Sequence, residues 1–271
     1  MFIVRVKSQS LEVYDSTKFH LKRRLDVVGM TNPDNIASSQ ANACIYAFDW
    51  SYRSKSTAIL TISPGDGTLI GTWNVNETVA KLSIASDGNV ILTTYDFQLH
   101  EYTGDGKLIR DIDLTSGTGI IIPNHVVKLN NGQFVVCHSD AKELPNRVCM
   151  IEIKQTESTP GRPDEVNITR TFPEEHGEWS LMEPIYMSVG KKGSILVSIA
   201  TGKTSGKIVL LSSKLDKPQE IASEKDGLNS SLKTCFNEST GQWLVADNNR
   251  VITYRVKGKD VHQVCYNLPS L

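Results

Sequence analysis

The sequence predicts an all-β fold, a β-propeller of four-stranded antiparallel blades, because one phrase recurs along the chain. The phrase is an apolar strand, a short turn that usually carries glycine, a second apolar strand and a closing polar residue. It occurs five times in 271 residues, with steps of 46, 44, 61 and 47 residues between equivalent positions. A period of roughly 40–50 residues built from short strands is typical of propeller blades. The copies span 32–49, 77–96, 122–140, 183–200 and 231–247.

Each copy is followed by a second pair of strands, so that phrase and hairpin together predict one blade. The clearest hairpin is 97–114, where Gly104, Asp105 and Gly106 give a strong turn signal between two strands. Residues 2–27 predict three strands, which would form a blade without its innermost strand. We therefore expect one six-bladed domain over 1–271, in which the first and last blades are adjacent and close the ring. The expected blades are approximately 2–27, 31–75, 76–120, 121–179, 180–229 and 230–268.

The composition argues against nonspecific electrostatic binding to nucleic acid or to an anionic membrane, because the formal net charge is −1. No stretch is long and apolar enough to span a bilayer, and Arg5 and Lys7 interrupt the N-terminal apolar run, so we expect neither a membrane segment nor a signal peptide. The five cysteines are odd in number and form no CxxC pair. They predict free, mostly buried thiols and a cytoplasmic location.

The longest step contains an irregular segment, 155–165, which is rich in proline, glycine and charge. It predicts a long exposed hairpin loop within the fourth blade. Long loops in compact domains are often functional. A tolerated surface insertion explains the same pattern.

The last blade resembles the second half of an NHL repeat over residues 243–256, WLVADNNRVITYRV. The matching positions are Asp247, Asn248, Asn249 and Arg250. The hairpin 99–112 and the fragment 13–16 resemble parts of further repeats. The resemblance implies a six-bladed propeller of the kind that binds protein substrates or RNA in tripartite-motif proteins, here with no RING or B-box before it. Six-bladed relatives also include hydrolases and lyases that use carboxylates, asparagine or histidine in the central channel.

The residues expected at the channel mouth are those just before the equivalent apolar positions of the five first strands. They are Asn35, Lys81, His125, Tyr186 and Lys233. This set is polar, with two cations and no carboxylate, although Asp34 lies beside Asn35. Because a calcium site needs several oxygen ligands with carboxylate charge, we expect no cofactor or metal and disfavour a calcium-dependent lactonase.

A pair of histidines is the strongest candidate for chemistry. If Asn131 and Gly132 form a two-residue hairpin turn, His125 and His138 are directly opposed across the first two strands of the fourth blade. Two such imidazoles could ligate a transition metal or act as an acid–base pair, with Asp140 two residues further on. The interpretation that the sequence favours is that both rings are neutral sheet residues bonded to the backbone or to water, since a metal needs a third ligand that the sequence does not name.

The same register argument places Lys81 opposite Thr94 and Lys233 opposite Asn248. Two lysines at the mouth could attract an anionic ligand, an acidic peptide or a phosphate backbone. Neighbouring carboxylates such as Asp247 could also neutralise them. The acids that end second strands are expected to bond loop amides or a following arginine such as Arg250. These acids are Asp49, Asp96, Asp140 and Asp247.

The function expected from these features is recognition of a protein or peptide at the loop-rich face around the channel, because rigid blades support variable loops. That face should hold Asp34, Lys81, Asn124, Ile185 and Leu232. One alternative is an enzyme of hydrolase or lyase type, or a small-molecule binder, with a site around His125 and His138. Another is RNA binding of the NHL kind, which the near-neutral charge weakens.

Overall fold

The structure is a computed structural model and consists almost entirely of β-strands. It describes residues 2–4, 10–15, 20–51, 56–115, 118, 120, 122–139, 146–154, 165–173, 183–229, 232–237, 240–247, 250–257 and 260–267. The chain divides into two compact units, Met1–Leu114 and Thr115–Leu271. The helical content of the described residues is two short 3-10 turns, at Lys191–Gly193 and Glu224–Asp226.

The first unit contains one three-stranded sheet and two four-stranded sheets, all antiparallel. The small sheet consists of β1 (Phe2–Val4), β2 (Ser10–Tyr14) and β3 (Leu21–Asp26). The next sheet consists of β4 (Pro33–Ser39), β5 (Cys44–Ser51), β6 (Ser56–Ile62) and β7 (Leu69–Val75). The third consists of β8 (Val79–Ile84), β9 (Val90–Thr94), β10 (Gln98–Tyr102) and β11 (Leu108–Asp113).

The second unit contains three four-stranded sheets in sequence order. The first consists of β12 (Ile122–Lys128), β13 (Phe134–Ser139), β14 (Arg147–Lys154) and β15 (Glu165–Phe172). The second consists of β16 (Glu183–Val189), β17 (Ile195–Ala200), β18 (Gly206–Leu211) and β19 (Gln219–Ala222). The last consists of β20 (Leu232–Asn237), β21 (Gln242–Asp247), β22 (Arg250–Lys257) and β23 (Asp260–Asn267).

The predicted number of blades is wrong: the described residues form five four-stranded blades, not six. Each copy of the phrase supplies the first two strands of one blade, as expected. The N-terminal segment does form three strands, also as expected. It does not make a full blade, because only three strand-forming segments precede the first copy of the phrase. The expected adjacency of 2–27 and 230–268 stays a prediction.

The core of each unit lies between neighbouring blades. Every residue of β9 and of β17 is buried, so the second strand is the most enclosed part of a blade. In the first unit the side chains packed between the two four-stranded blades include Tyr46, Phe48, Leu82, Leu92 and Tyr102. In the second unit the first two blades pack through Val127, Cys137, Met187, Val197 and Leu211.

Most of the tight hairpins use a three-residue turn with a left-handed last residue. In the β12–β13 turn, Leu129 N–H donates to Gln133 O and Gly132 N–H donates to Leu129 O. This is a type I turn followed by a bulge residue with positive φ, a position that favours glycine. The equivalent glycines are Gly88, Gly106, Gly132 and Gly193, with φ of 89°, 89°, 86° and 76°. In the β18–β19 turn Leu215 takes this place with φ of 57°, and its side chain is buried.

Four of the five first strands carry a β-bulge near their start, at the second or third residue of the strand. The residue left out of the ladder is Asp34 in β4, Ala80 in β8, Asn124 in β12 and Ile185 in β16. The residue before it is Pro33, Val79, Pro123 or Pro184, and all four are buried. Proline cannot donate to the ladder, so it is tolerated next to a bulge. The four unpaired residues therefore occupy equivalent positions in their blades.

Candidate functional site

The candidate site is the group of polar residues at and just after these bulges, together with Lys233 near the start of the unbulged strand β20; we call this group the strand-start band. In the first unit it comprises Asp34, Asn35 and Lys81. In the second unit it comprises Asn124, His125, Tyr186 and Lys233. The start of a first strand lies at the same end of its blade as the loop between the second and third strands, so each part of the band lies at a loop-bearing edge.

In the first unit, the band holds an accessible ion pair. Lys81 Nζ lies 3.4 Å from Asp34 Oδ2, and the two side chains are 29% and 45% exposed. Asn35 is buried beside them. Asp34, and not Asp247, is therefore the carboxylate that partly neutralises this lysine. An exposed pair of this kind contributes about 0–1 kcal/mol to stability, so a partner can rearrange it at little cost.

Asp49 fixes the segment that leads into this part of the band. Its Oδ2 accepts the Thr31 N–H at 2.6 Å and the Thr31 hydroxyl at 3.0 Å. Its Oδ1 accepts the Asn32 N–H. The carboxylate is 5% exposed, so these bonds are shielded from water. The expected role of Asp49, bonding loop amides, is what the structure shows.

In the second unit, His125 joins two neighbouring first strands. Its ring stacks on Tyr186 with centroids 4.1 Å apart and an angle of 24° between the planes. Its Nδ1 accepts the Met187 N–H at 3.3 Å, so Nδ1 carries no proton and the hydrogen of a neutral ring is on Nε2. The imidazole is 1% exposed. His125 therefore holds β12 against β16 as part of the packed sheet interface.

Two further polar contacts tie the first strands of this unit together. Asn124 Nδ2 donates to Ser139 Oγ at 2.6 Å and to Pro184 O at 2.8 Å. Deeper in the sheet, Ser188 Oγ donates to Thr234 Oγ1 at 3.0 Å. The side chains of Asn124 and Tyr186 are half-buried. Both retain surface that a ligand could contact while their inner atoms hold the blades in place.

The predicted opposition of His125 and His138 is wrong. His125 pairs with Cys137, and His138 pairs with Pro123 across the bulge at Asn124. The cause is the three-residue turn: it shifts the register by one residue relative to a two-residue turn, and side chains alternate between faces. The two imidazoles therefore lie on opposite faces of the sheet.

The His138 side chain is packed on the face of the sheet opposite to that of His125. It is 5% exposed, and its Nε2 lies 3.4 Å from Cys149 Sγ. Burial raises the pKa of the Cys149 thiol to about 12, so the sulfur stays protonated and is a poor nucleophile or metal ligand at neutral pH. Asp140, the expected third member of the group, lies outside the described residues.

The predicted lysine registers are also wrong. Lys81 pairs with Thr93 and not Thr94, because of the three-residue turn that ends in Gly88. Lys233 pairs with Ala246, because the turn after Asn237 is longer than the two residues assumed. Asn248, its expected partner, lies outside the described residues. Lys233 is exposed, whereas Leu232, expected on the ligand face, is buried.

The four buried carboxylates of the described residues all have structural partners. Glu12 accepts the Tyr14 hydroxyl at 2.8 Å and pairs with Arg24 at 3.2 Å. Glu101 accepts from Asn89 Nδ2 at 2.8 Å and pairs with Arg110 at 2.9 Å. Asp49 bonds the loop before β4, and Asp247 pairs with Arg250. Asp96, by contrast, is exposed. The buried acids are therefore all engaged by partners within or beside the blades.

No group of three or more histidine, cysteine, aspartate or glutamate side chains among the described residues is arranged to hold a metal ion. None of the helical turns in this part of the chain is long and apolar enough to cross a membrane.

The comparisons with known proteins concern the fold. No family model matches the chain, and no curated protein matches its sequence, so the resemblance to NHL repeats stays a prediction. A chain of the Nidogen/Laminin complex superposes with a TM-score of 0.65 at 12% identity, covering 98% of this chain and 92% of that one. The fold is a β-propeller.

Two further solved structures are similar to this chain in fold. A functionally unknown protein from Desulfotomaculum acetoxidans gives a TM-score of 0.59 at 12% identity, over 97% of this chain and 78% of that one. A putative 6-phosphogluconolactonase from Bacteroides uniformis gives 0.57 at 8% identity, over 97% and 80%. At such low identity only the fold is shared, and the function must be argued from the site.

Sequence reasoning missed the bulges, although a signal for them was present. Three of the four bulged strands carry a proline as their first or second residue, and Asn35, His125 or Tyr186 follows it two positions on. A proline in an otherwise regular strand indicates an edge or a bulge. That rule would have placed the bulge and predicted the unpaired residue in each of these strands.

Proposed function

We propose that the propeller is a recognition module that binds a protein or peptide partner at the strand-start band. The observation that carries the proposal is the repeated bulge. At equivalent places it leaves one residue out of the ladder and sets a polar side chain beside it, on strands that also contribute buried residues to the packed blades. This gives a rigid frame with a variable surface, the arrangement that binding propellers use.

The chemistry of the band suits a partner with mixed charge. In the first unit it offers the exposed carboxylate of Asp34 and the ammonium of Lys81. In the second unit it offers exposed Lys233 and the half-buried ring of Tyr186. Aromatic residues with a partly exposed ring are frequent anchors at protein interfaces. Opposite charges close together favour a polar protein surface over a polyanion.

The comparison supports the proposal at the level of architecture. The similar propeller in the Nidogen/Laminin complex is part of an assembly of two proteins. The enzymatic alternative has less support, because the His125 and His138 rings are buried on opposite faces. RNA binding has no feature in its favour beyond Lys81 and Lys233. Cytoplasmic location belongs to the same proposal and rests on the free cysteines.

Charge reversal in the band tests the proposal. A partner is isolated with the wild-type protein, purified and titrated by calorimetry against Lys81→Glu and Lys233→Glu, one substitution in each unit. We expect at least one variant to weaken binding tenfold or more. Lys233→Glu should leave the thermal stability unchanged because Lys233 is exposed, and Lys81→Glu should lower the free energy of unfolding by no more than about 1 kcal/mol, because the pair with Asp34 is accessible to water. The matched control is Lys107→Glu, which lies in the β10–β11 turn at the other end of its blade.

Equal binding by both band variants and the control would place the partner site elsewhere on the protein. Asp34→Asn gives a finer measurement, because it removes the carboxylate that faces Lys81 without adding charge of the opposite sign. If Lys81 contacts an acidic group of the partner, Asp34→Asn should strengthen the interaction. If Asp34 itself makes the contact, the same change should weaken it.

A further inference from the structure

A group of polar side chains lies within the first unit, where the second blade (β4–β7) packs against the third (β8–β11). We call it the interblade cluster, and it shares no residue with the strand-start band. Trp73 of β7 and Tyr102 of β10 have ring centroids 4.9 Å apart. His100 precedes Tyr102 by two residues, so it lies on the same face of the sheet. The members of the cluster are Trp73, Glu77, His100, Tyr102 and Asp111.

His100 is the most enclosed member of the cluster. Its side chain is 4% exposed, and within the described residues neither ring nitrogen makes a hydrogen bond. It pairs directly with Asp111, whose Oδ1 lies 3.4 Å from His100 Nδ1 but without hydrogen-bond geometry. A buried polar group without a partner costs about 1–3 kcal/mol, so such groups are normally satisfied. The imidazole therefore has hydrogen-bonding capacity that the described part of the chain does not use.

Two further polar atoms next to His100 are also unused. Tyr102 is 9% exposed, and its hydroxyl makes no hydrogen bond with a described residue. The Nε1 atom of Trp73 is buried and has no hydrogen-bond partner among the described residues either. Three neighbouring side chains of one interface, each able to form hydrogen bonds, thus lack a partner at the same place.

Two carboxylates give the cluster a negative charge. The Asp111 side chain is 56% exposed, so solutes can reach it. Glu77 is half-buried in the link between β7 and β8, and the Thr57 hydroxyl of β6 donates to its backbone oxygen at 3.4 Å. Burial, with the charges of Glu77 and Asp111, raises the pKa of Tyr102 to about 12. Both carboxylates therefore lie close enough to act on the same hydroxyl.

No cation of the described residues compensates this charge. Glu77 makes no ion pair with any of them, and Asp111 approaches only His100. Arg110 is adjacent to Asp111 in β11, but it lies on the other face of the sheet and pairs with Glu101 at 2.9 Å. The charge of the two carboxylates is therefore available to a ligand.

We propose that the interblade cluster binds an organic cation, a guanidinium or alkylammonium group. Its N–H groups donate to the carboxylates of Asp111 and Glu77 and to the Tyr102 oxygen. A neutral His100 ring adds one accepting nitrogen. The carbon chain of the ligand rests on Trp73, which is half-buried. Hydrogen bonds between a cation and carboxylates are among the strong ones, and cations are also attracted to aromatic rings.

A metal ion fits the cluster less well than an organic cation. A metal needs several ligand atoms within about 2–2.6 Å of one point. No group of three acidic, histidine or cysteine side chains of the described residues meets that condition. A guanidinium or alkylammonium group carries several N–H donors and reaches carboxylates that lie further apart.

The proposal is tested by NMR titration of the protein at constant ionic strength. The probes are agmatine, a blocked glycine-arginine-glycine peptide and the same peptide with citrulline, the neutral isostere of arginine. We expect saturable shifts of backbone amides in β7, β10 and β11 with agmatine, and at least fivefold weaker binding of the citrulline peptide than of the arginine peptide. Saturation by agmatine alone identifies a free small molecule as the ligand, whereas saturation by the arginine peptide as well shows that a protein side chain also fits.

Asp111→Asn and Glu77→Gln should each weaken agmatine at least fivefold, because each removes one charge and keeps the size of the side chain. The control is Asp26→Asn, which removes an exposed carboxylate from β3 of the same unit and should leave the affinity unchanged. Neither Asp111 nor Glu77 makes a side-chain hydrogen bond with a described residue, so both variants should fold, and circular dichroism verifies this.

Shifts that do not saturate with any cationic probe, or unchanged agmatine affinity in both carboxylate variants, would overturn the proposal. The same variants are also titrated with the partner isolated for the strand-start band. Because the cluster and the band share no residue, Asp111→Asn should lose agmatine and keep the partner, so the failure of one proposal is distinguishable from the failure of the other.

Discussion

Asp247 shows at the scale of a single residue how a buried charge organises a blade. Its side chain is 0% exposed, and Oδ2 accepts from Arg250 Nε at 3.0 Å and from Nη2 at 2.6 Å. Oδ1 accepts from Asn229 Nδ2 at 2.8 Å. Arg250 also donates to Gly227 O, so one arginine links the end of β21 to the segment before β20. Both lone-pair regions of the carboxylate are therefore used.

Replacing Asp247 with alanine should destabilise the protein by about 2–3 kcal/mol. Breaking a fully buried pair costs about 3–5 kcal/mol, and Arg250 retains some contact with water, which lowers the loss. Urea unfolding followed by tryptophan fluorescence measures the change. Asp26→Ala is the control, because Asp26 is exposed at the end of β3 and should change stability by less than about 0.5 kcal/mol. Equal losses for the two variants would contradict a structural role for the pair.

The cysteines should separate into two classes by their reactivity. Cys44, Cys137 and Cys149 are buried, whereas Cys235 and Cys265 are exposed. Because burial also raises the pKa of Cys149 to about 12, its thiolate is scarce at neutral pH. Burial also raises the pKa of the Cys235 thiol to about 11, although part of this residue is exposed. Iodoacetamide should therefore label Cys265 first and Cys235 more slowly in the native protein, both before the three buried thiols, and all five after denaturation, as counted by intact mass. Rapid native labelling of Cys149 would contradict the packing around His138.

At the scale of the element, the turns decide what the sequence could and could not predict. Asn131-Gly132 and Asp87-Gly88 correctly marked hairpins, and the strands on either side formed where expected. The glycines, however, occupy the last position of three-residue turns, with φ of 86° and 89°. Both a two-residue and a three-residue turn place a glycine at their last position. The residue types of the turn therefore did not distinguish the two turn lengths. That single residue moved His138 to the other face of the sheet.

Two glycines with the same conformation should respond differently to alanine. Gly132 has φ of 86° and an added Cβ would meet no atom within 4 Å, whereas in Gly106, with φ of 89°, it would lie 2.5 Å from Trp73 Cγ. Both variants suffer the strain of positive φ, about 1 kcal/mol. Gly106→Ala should lose about 1–3 kcal/mol more, because Trp73 has to move. Urea unfolding of the two variants measures the difference, and equal losses would show that the turn does not pack on Trp73.

At the scale of the whole molecule, buried tyrosines should limit stability at high pH. Burial, with the charges of Glu77 and Asp111, raises the pKa of Tyr102 to about 12. Burial also raises the pKa of Tyr46 and Tyr254. An unfolded tyrosine titrates near pH 10. Below that value the phenol is protonated in both states, but above it the unfolded state loses the proton first, so the free energy of unfolding falls as pH rises.

Tyr102→Phe should therefore flatten the loss of stability between pH 10 and 12. The wild-type contribution reaches about 2 kcal/mol at the upper end of this window, and phenylalanine removes it. Urea unfolding at pH 8, 10 and 11.5 measures the slope. Tyr95→Phe is the control, because Tyr95 is 64% exposed and should leave the slope unchanged. A slope equal to that of the wild type in Tyr102→Phe would exclude this phenol as a cause of alkaline unfolding.

The repeated phrase could be recognised in the sequence, but the number of strands in each sheet could not. The five phrases contained both signals of a hairpin, alternating strands and a turn glycine, and all five became the first two strands of a blade. The N-terminal segment contained strands without the phrase, and it became a three-stranded sheet. Counting that sheet as a sixth blade accepted a blade that lacks its innermost strand. Strand pairing depends on such long-range partners, which local patterns do not report.

The side chains at the bulges differ from blade to blade. At one backbone position the chain carries an acid at Asp34, a methyl group at Ala80, an amide at Asn124 and a branched alkyl group at Ile185. A bulged residue makes no ladder bond, so the sheet itself does not fix which side chain stands there. Exchanging the side chains of Asp34 and Ala80 should therefore alter what the surface binds while the stability of the sheet stays almost constant, whereas exchange of Asn124 would also remove its bonds to Ser139 and Pro184. Substitutions at an exposed bulge can therefore change ligand specificity without first destabilising the fold.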